Sequence, residues 1–228
     1  MQQINLFDHP LKRLLASSAA EATAKALEHG FNRTYFDDPD AITGFRGYHE
    51  HGNGAEGHRD FSREAESVVA ALRERAAPRD SGVREVLDIG CAKGFLVRRL
   101  RGLGVHAWGC DISAYAVAAA PVEVRRYLWV STIQDIDLHE CYELVHIHGV
   151  LIYLTLDEIE ASLAAIHGIC TLGLMLYEPT REMLQTWLDA GDEGAFDPLR
   201  KQELPESVWA ELLEKQGFRR HPRGWWKK

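Results

Sequence analysis

Cysteine is scarce and scattered in this sequence: Cys91, Cys110, Cys141 and Cys170 stand far apart, with no Cys-x-x-Cys pair and no short Cys/His spacing. The pattern points away from a zinc site and from a disulfide framework, and it reads as small buried apolar residues in a reducing compartment. Basic charge is also short. With 26 Lys and Arg against 34 Asp and Glu the chain carries a formal charge of −8. That argues against a nucleic-acid partner, since affinity for phosphate comes largely from clustered Lys and Arg. No apolar run approaches membrane-spanning length, and the opening MQQINLFDHPLKRLLASS has an acid and a proline where a secretory core would be uninterrupted. A cytoplasmic protein without a membrane partner is the default expectation. Internal repeats and low-complexity tracts are lacking too.

What is there is 228 residues with 46% hydrophobic content, enough for one ordinary core and a small extra segment. From about residue 82, short β-branched apolar runs alternate with helix-patterned stretches, the mark of a parallel sheet covered by helices on both faces. The expected strands are Val83–Ile89, Val105–Cys110, Val124–Trp129, Glu143–Ile147 and Leu172–Tyr177. Helices are expected at Phe95–Leu103, stopped by Gly104; at Ser113–Ala120, stopped by Pro121; and at Leu156–His167, where Thr155 and Glu158 have capping-box spacing. Further helices fall at Arg181–Ala190 and in PESVWAELLEKQGF, and the tail FRRHPRGWWKK has room for one more strand but hardly a hairpin.

The first 60 residues differ in texture. An Ala-rich amphipathic stretch, Leu11–Glu28, leads into YFDDPDAITGFRGYHEHGNGAEGHRD, rich in Gly, His and Asp; a helix at Phe61–Arg75 then joins it to the sheet. Residues 1–60 therefore read as a helical segment and substrate lid, and 61–228 as the ligand-binding domain.

The most informative stretch is EVLDIGCAKGF, Glu85–Phe95. A strand-to-helix turn through Gly90, Cys91, Ala92 and Gly94 lets backbone approach a ligand, and the helix that follows offers free N–H groups. The glycine spacing departs from the dinucleotide fingerprint. Asp88, two positions ahead of Gly90, would repel a pyrophosphate and attract a cofactor that carries an amino group and a sulfonium. Asp111 ends the next strand in WGCDIS, where a carboxylate can accept hydrogen bonds from ribose hydroxyls. These charges favour S-adenosylmethionine over a nicotinamide dinucleotide.

VLDIGCAKGFLVRRL, HAWGCDISAYAV and YELVHIHGVLIYL together resemble successive motifs of the class I S-adenosylmethionine-dependent methyltransferases, over about Val83–Glu178. YFDDPDAITGFRGY is similar to small-molecule members of sugar and natural-product pathways. The resemblance implies a Rossmann-like, doubly wound α/β fold with a mostly parallel, seven-stranded type of sheet. It further implies that Asp88 and Gly90 sit by the methionine end of the cofactor, Asp111 by its ribose and Ile112 against its adenine. Ala92 stands where many members have glycine. Ser131 and Thr132 stand where the family often has an acid at the adenine edge, with Asp135 the alternative.

For the acceptor, His146 and His148 alternate with Val145 and Ile147, so both imidazoles face one side of the fourth strand. His148 lies nearer the carboxyl end, where open parallel sheets bind ligands, and is the first candidate for a base or a contact with cofactor and substrate. A histidine bonded under a neighbouring helix is the competing expectation for both. Tyr153 stands where the family often places a residue close to the methyl group or acceptor, and Glu178 ends the fifth strand on the same rim; helix-start packing and helix capping are their plainer roles. His49, within Tyr48, His49, Glu50, His51 and His58, reads as part of the lid reaching the acceptor; a metal site there lacks a third ligand at dependable spacing. The expected activity is methyl transfer to an oxygen or nitrogen of a small metabolite. A protein or RNA methyltransferase, and a non-catalytic cofactor-binding regulator, are the alternatives.

Overall fold

The computed structural model describes residues 30–37, 61–75, 85–133, 136, 141–191, 197 and 199–227. The helix expected at Leu11–Glu28, the cluster from Tyr48 to His58 with His49, and Asp135 lie outside them.

The apolar runs build one seven-stranded sheet from β1 (Glu85–Ile89), β2 (His106–Asp111), β3 (Leu128–Val130), β4 (Tyr142–His148), β5 (Cys170–Tyr177), β6 (Phe218–His221) and β7 (Gly224–Lys227). Their spatial order is β3-β2-β1-β4-β5-β7-β6. The first five are mutually parallel and β7 alone runs against its neighbours. The chain order reverses beside β1, and open sheets of this kind bind ligands outside the carboxyl ends of the strands at such a switch point.

Helices cover both faces. Among the described residues they are α1 (Arg33–Asp37), α2 (Phe61–Arg75), α3 (Phe95–Gly102), α4 (Ala114–Ala118), α5 (Val122–Arg125), α6 (Leu156–Ile169), α7 (Arg181–Asp189) and α8 (Glu206–Lys215). Alternation along each strand sorts the core into two layers. Val86, Ala107, Leu144 and Met175 pack with α2 and α3 through Ala65, Val68, Leu72, Leu96 and Leu100. Leu87, Cys110, Val145, Ile147 and Leu174 pack on the other side with α6 and α8 through Ile159, Leu163, Trp209 and Leu213. Each such aliphatic side chain contributes about 1.5–3 kcal/mol by leaving water. The expected capping box opens α6: Thr155 Oγ1 accepts from the Glu158 N–H, and Glu158 Oε2 accepts from the Thr155 N–H at 2.7 Å.

Three local expectations need correction. Val124–Trp129 is not one strand: Pro121, with φ −52°, opens the short helix α5, Val124 is buried from it, and β3 begins only at Leu128. The tail forms a full hairpin, because Pro222 and Arg223 turn the chain between β6 and β7 and Gly224 passes close to β5. A Cβ on Gly224 would meet Leu174 O at 2.7 Å, and φ there is +151°. Cys141 is exposed, whereas Cys91, Cys110 and Cys170 are buried as expected.

Candidate active site at the carboxyl edge of the sheet

The glycine turn is shaped by what surrounds it. The N–H groups of Gly90 and Cys91 both donate to Cys110 O, at 2.8 and 3.0 Å, which folds the turn against the end of β2. Gly90, Ala92 and Gly94 all have positive φ. A Cβ on Gly90 would lie 2.2 Å from Val150 Cγ2, so this position admits no side chain. Ala92 holds the left-handed conformation with a side chain present, and its N–H donates to Asp111 Oδ2 at 2.7 Å. Asp111 Oδ1 accepts from the Ser113 N–H at 2.8 Å. Burial pushes the Asp111 carboxyl above its usual range and the nearby Asp88 charge adds to this, while the two N–H donors pull it back.

Asp88 is 1% exposed. Its Oδ1 lies 2.8 Å from His146 Nδ1, and its Oδ2 is buried without a hydrogen-bond partner. His146 is fully buried beneath α2, with Nε2 3.3 Å from Glu64 Oε1. His148 Nδ1 lies 2.6 Å from the same Glu64 oxygen, and its side chain is 36% exposed. Burial works to lower the His146 pKa, but the flanking Asp88 and Glu64 carboxylates outweigh it and the net shift is upward. Both histidines thus do what strand alternation predicts, facing one side, and Tyr177 on β5 completes the group with ring centroids 5.6 and 5.7 Å away.

A short N-terminal piece crosses the same edge. Asn32 Oδ1 accepts from the Thr34 N–H at 2.8 Å at the start of α1. Asp37 binds both Lys93 in the glycine turn and the Tyr115 hydroxyl, and Ser113 Oγ donates to Phe31 O at 2.5 Å. At the other end Tyr35 and Tyr153 share a 2.9 Å hydrogen bond, Tyr153 Oη donates to Asp197 Oδ2 at 2.7 Å, and Phe31 packs edge-on against both rings. Burial first, then the Asp197 charge, holds both phenols protonated well above their ordinary pKa. Tyr153 is therefore a donor and packing group rather than a phenolate.

Glu178 is buried at the end of β5, and its Oε1 accepts the N–H groups of both Val150 and Leu151 at 2.9 Å, closing the turn that follows β4. It caps that turn and not the helix after Pro179, where Thr180 does so through the Met183 N–H. Burial raises its carboxyl from 4.5 to about 7, against the pull of the backbone donors.

Along the other flank, Ile112 is 60% and Val130 52% exposed, at the carboxyl ends of neighbouring strands whose register pairs Asp111 with Val130. The Ser131 N–H donates to Asp111 O at 3.0 Å and its hydroxyl to Thr132 O at 2.8 Å. The sequence reading missed Glu64, Asp37, Lys93, Tyr35 and Asp197. Glu64 carried a signal, because it lies on the helical face that Phe61, Ala65, Val68 and Leu72 bury.

Strand order, glycine turn and paired acids define an open-sheet α/β protein with a ligand site at its carboxyl edge. Residues 61–219 match a methyltransferase-domain family, and the chain belongs to it. Among solved structures, the plantazolicin methyltransferase BamL, in complex with a triazolic desmethylPZN analog and SAH, superposes with a TM-score of 0.61 at 17% identity, over 91% of this chain and 79% of that one. The magnesium protoporphyrin IX methyltransferase of Synechocystis PCC 6803 gives 0.56 at 21%, over 78% and 87%. A SAM-dependent methyltransferase from Archaeoglobus fulgidus gives 0.51 at 20%, over 70% and 73%. These are likenesses of fold. No curated protein matches the chain. The family uses S-adenosylmethionine, and the residues present fit that group: a buried, unpartnered Asp88 oxygen suits an ammonium, Asp111 suits ribose hydroxyls, and the exposed Ile112 and Val130 suit an apolar ring.

Proposed function

We propose that the protein transfers a methyl group from S-adenosylmethionine to an oxygen or nitrogen of a small metabolite, of the natural-product kind. The observation that carries the acceptor size is the segment 30–37. It is fastened to the glycine turn by Asp37 and to the far side of the edge by Tyr35, which narrows the approach to the sheet and disfavours a bulky protein or RNA acceptor. The cofactor supplies an electrophilic methyl group on a sulfonium. Asp88 and Asp111 hold its charged and ribose ends, and Ile112 and Val130 exclude water from its base. His148, partly exposed beside Tyr177, is the side chain placed to contact the acceptor and take a proton from it. The related folds are named for varied acceptors, magnesium protoporphyrin IX and plantazolicin among them, so the class rests on the geometry of this edge.

The test is direct. Calorimetry with S-adenosylhomocysteine should give one site per chain, and labelled S-adenosylmethionine should pass its methyl to members of a panel of hydroxylated and amino metabolites but not to tRNA or bulk protein. Absence of cofactor binding, or transfer to a macromolecule alone, would overturn the reading.

A further inference from the structure

We infer that Glu64, His146 and His148 form a binding site for one divalent transition ion of the zinc type, with Asp88 as its outer support. Nδ1 or Nε2 of each histidine and a Glu64 oxygen all lie within 4.8 Å of one another. The site joins α2 to β4, two elements far apart in sequence, and it is built from buried parts: the side chains of His146 and Glu64 are 0% and 9% exposed.

Three features single out a metal over an ordinary hydrogen-bonded cluster. The first is the way His146 is held. Asp88 lies 2.8 Å from Nδ1, which orients the ring and turns Nε2 toward Glu64 Oε1 at 3.3 Å. A carboxylate behind a histidine, orienting the opposite nitrogen, is the usual outer arrangement of a metal-bound imidazole. The second is charge. Asp88 and Glu64 bring two negative charges to one buried imidazole; an imidazolium balances one of them and a divalent cation balances both. The third is distance. Bonds of about 2.0–2.2 Å to one ion put ligand atoms roughly 3–3.5 Å apart; His146 Nε2 already lies 3.3 Å from Glu64 Oε1. The 2.6 Å contact from His148 Nδ1 is a hydrogen bond that opens by less than 1 Å when an ion replaces its proton.

Two imidazoles and one carboxylate suit a first-row transition ion and not magnesium or calcium, which take oxygen ligands. Three protein ligands leave coordination positions open, as catalytic sites do. The 36% exposure of His148 turns them toward the carboxyl edge. Resting on the methyltransferase reading, this assigns the acceptor class: a metabolite that binds the ion through a hydroxyl, whose proton affinity the ion lowers and whose oxygen keeps a lone pair for the methyl group, His148 then serving as a ligand and not as the base.

The experiment uses full-length, untagged protein stripped with chelator, titrated with zinc by calorimetry and with cobalt by visible absorption. One ion per chain, micromolar or tighter, is expected, with a cobalt band of the four- or five-coordinate type. Glu64→Gln and His148→Gln should each weaken zinc binding at least tenfold, and Asp88→Asn by about 10–100-fold. Circular dichroism and S-adenosylhomocysteine binding check that the Glu64 and His148 variants are folded; His148, at the surface, keeps the test open if Glu64→Gln is not. No zinc binding, or binding undiminished in His148→Gln, overturns the site. Zinc binding without any S-adenosylhomocysteine binding would instead sink the methyltransferase reading and leave this site standing.

Discussion

Glu178 Oε1 accepts the Leu151 N–H at 2.9 Å, and by this contact the end of β5 fixes the turn that follows β4. The same carboxylate accepts from Val150, whose side chain presses on Gly90. Acceptor contact and helix capping are the two roles the sequence suggests for Glu178; its Oε1 instead holds the wall of the glycine turn.

That bond has a pH signature. The folded pKa of Glu178 is about 7, above the ordinary 4.5, because burial disfavours the charged form. The folded state therefore binds a proton more readily than the unfolded chain. The stabilisation is complete below pH 4.5 and is lost as pH rises through 7, to an upper bound of about 3.5 kcal/mol. Glu178→Gln keeps an acceptor for both N–H groups and removes the charge. Urea unfolding should show the variant matching the parent near pH 4 and exceeding it by about 1–3 kcal/mol at pH 8.5. Parallel curves at the two pH values would contradict the assignment.

Glycine matters inside the turn, most sharply at Gly90, and not at the end of α3. Gly90→Ala puts a Cβ 2.2 Å from Val150 Cγ2 at φ +73°, whereas a Cβ on Gly102 meets nothing within 4 Å. We expect Gly90→Ala to cost at least about 2 kcal/mol and to abolish binding of S-adenosylhomocysteine. Gly102→Ala should be neutral or stabilise by up to about 1 kcal/mol. Thermal melts with and without ligand separate the two; a harmless Gly90→Ala would mean that the turn is not so constrained.

Asp37 is the anchor of segment 30–37 on the glycine turn. Burial pushes its carboxyl upward, but hydrogen bonds from Lys93 and Tyr115 outweigh it, so the group is charged at neutral pH. Its side chain is 29% exposed, and Asp37→Asn should change stability by no more than about 1 kcal/mol. Affinity for S-adenosylhomocysteine should fall several-fold, chiefly through faster dissociation in stopped-flow. An unchanged dissociation rate would show that the segment does not close over the ligand.

How far the sequence could be read follows from the range of the forces involved. Strand alternation and the capping box are local, and they gave β1, β2, β4, β5 and α6 to within a few residues, and also the shared face of His146 and His148. The Pro121 turn defeated the reading of β3, because a proline ends one helix and opens another equally well. The β6–β7 hairpin depends on Gly224 passing the backbone of β5, a tertiary contact with no period. Glu64 against His146, and Asp37 against Lys93, join segments dozens of residues apart, so spacing carries no trace of them. Glu178 was placed on the right rim, but only its neighbours decide which way a carboxylate turns.

Asp111 and Ala92 set one last condition on the ligand. The carboxylate that a ribose would engage is already bonded to the Ala92 N–H, and that bond holds an L-residue at φ 49°, a conformation that costs roughly 1–2 kcal/mol. Each carboxylate oxygen accepts two hydrogen bonds, so Oδ1 and Oδ2, bonded once each to Ser113 and Ala92 N–H groups, keep one acceptor site apiece for a nucleoside arriving at β2. The main chain thereby sets the direction in which those sites face before any ligand binds.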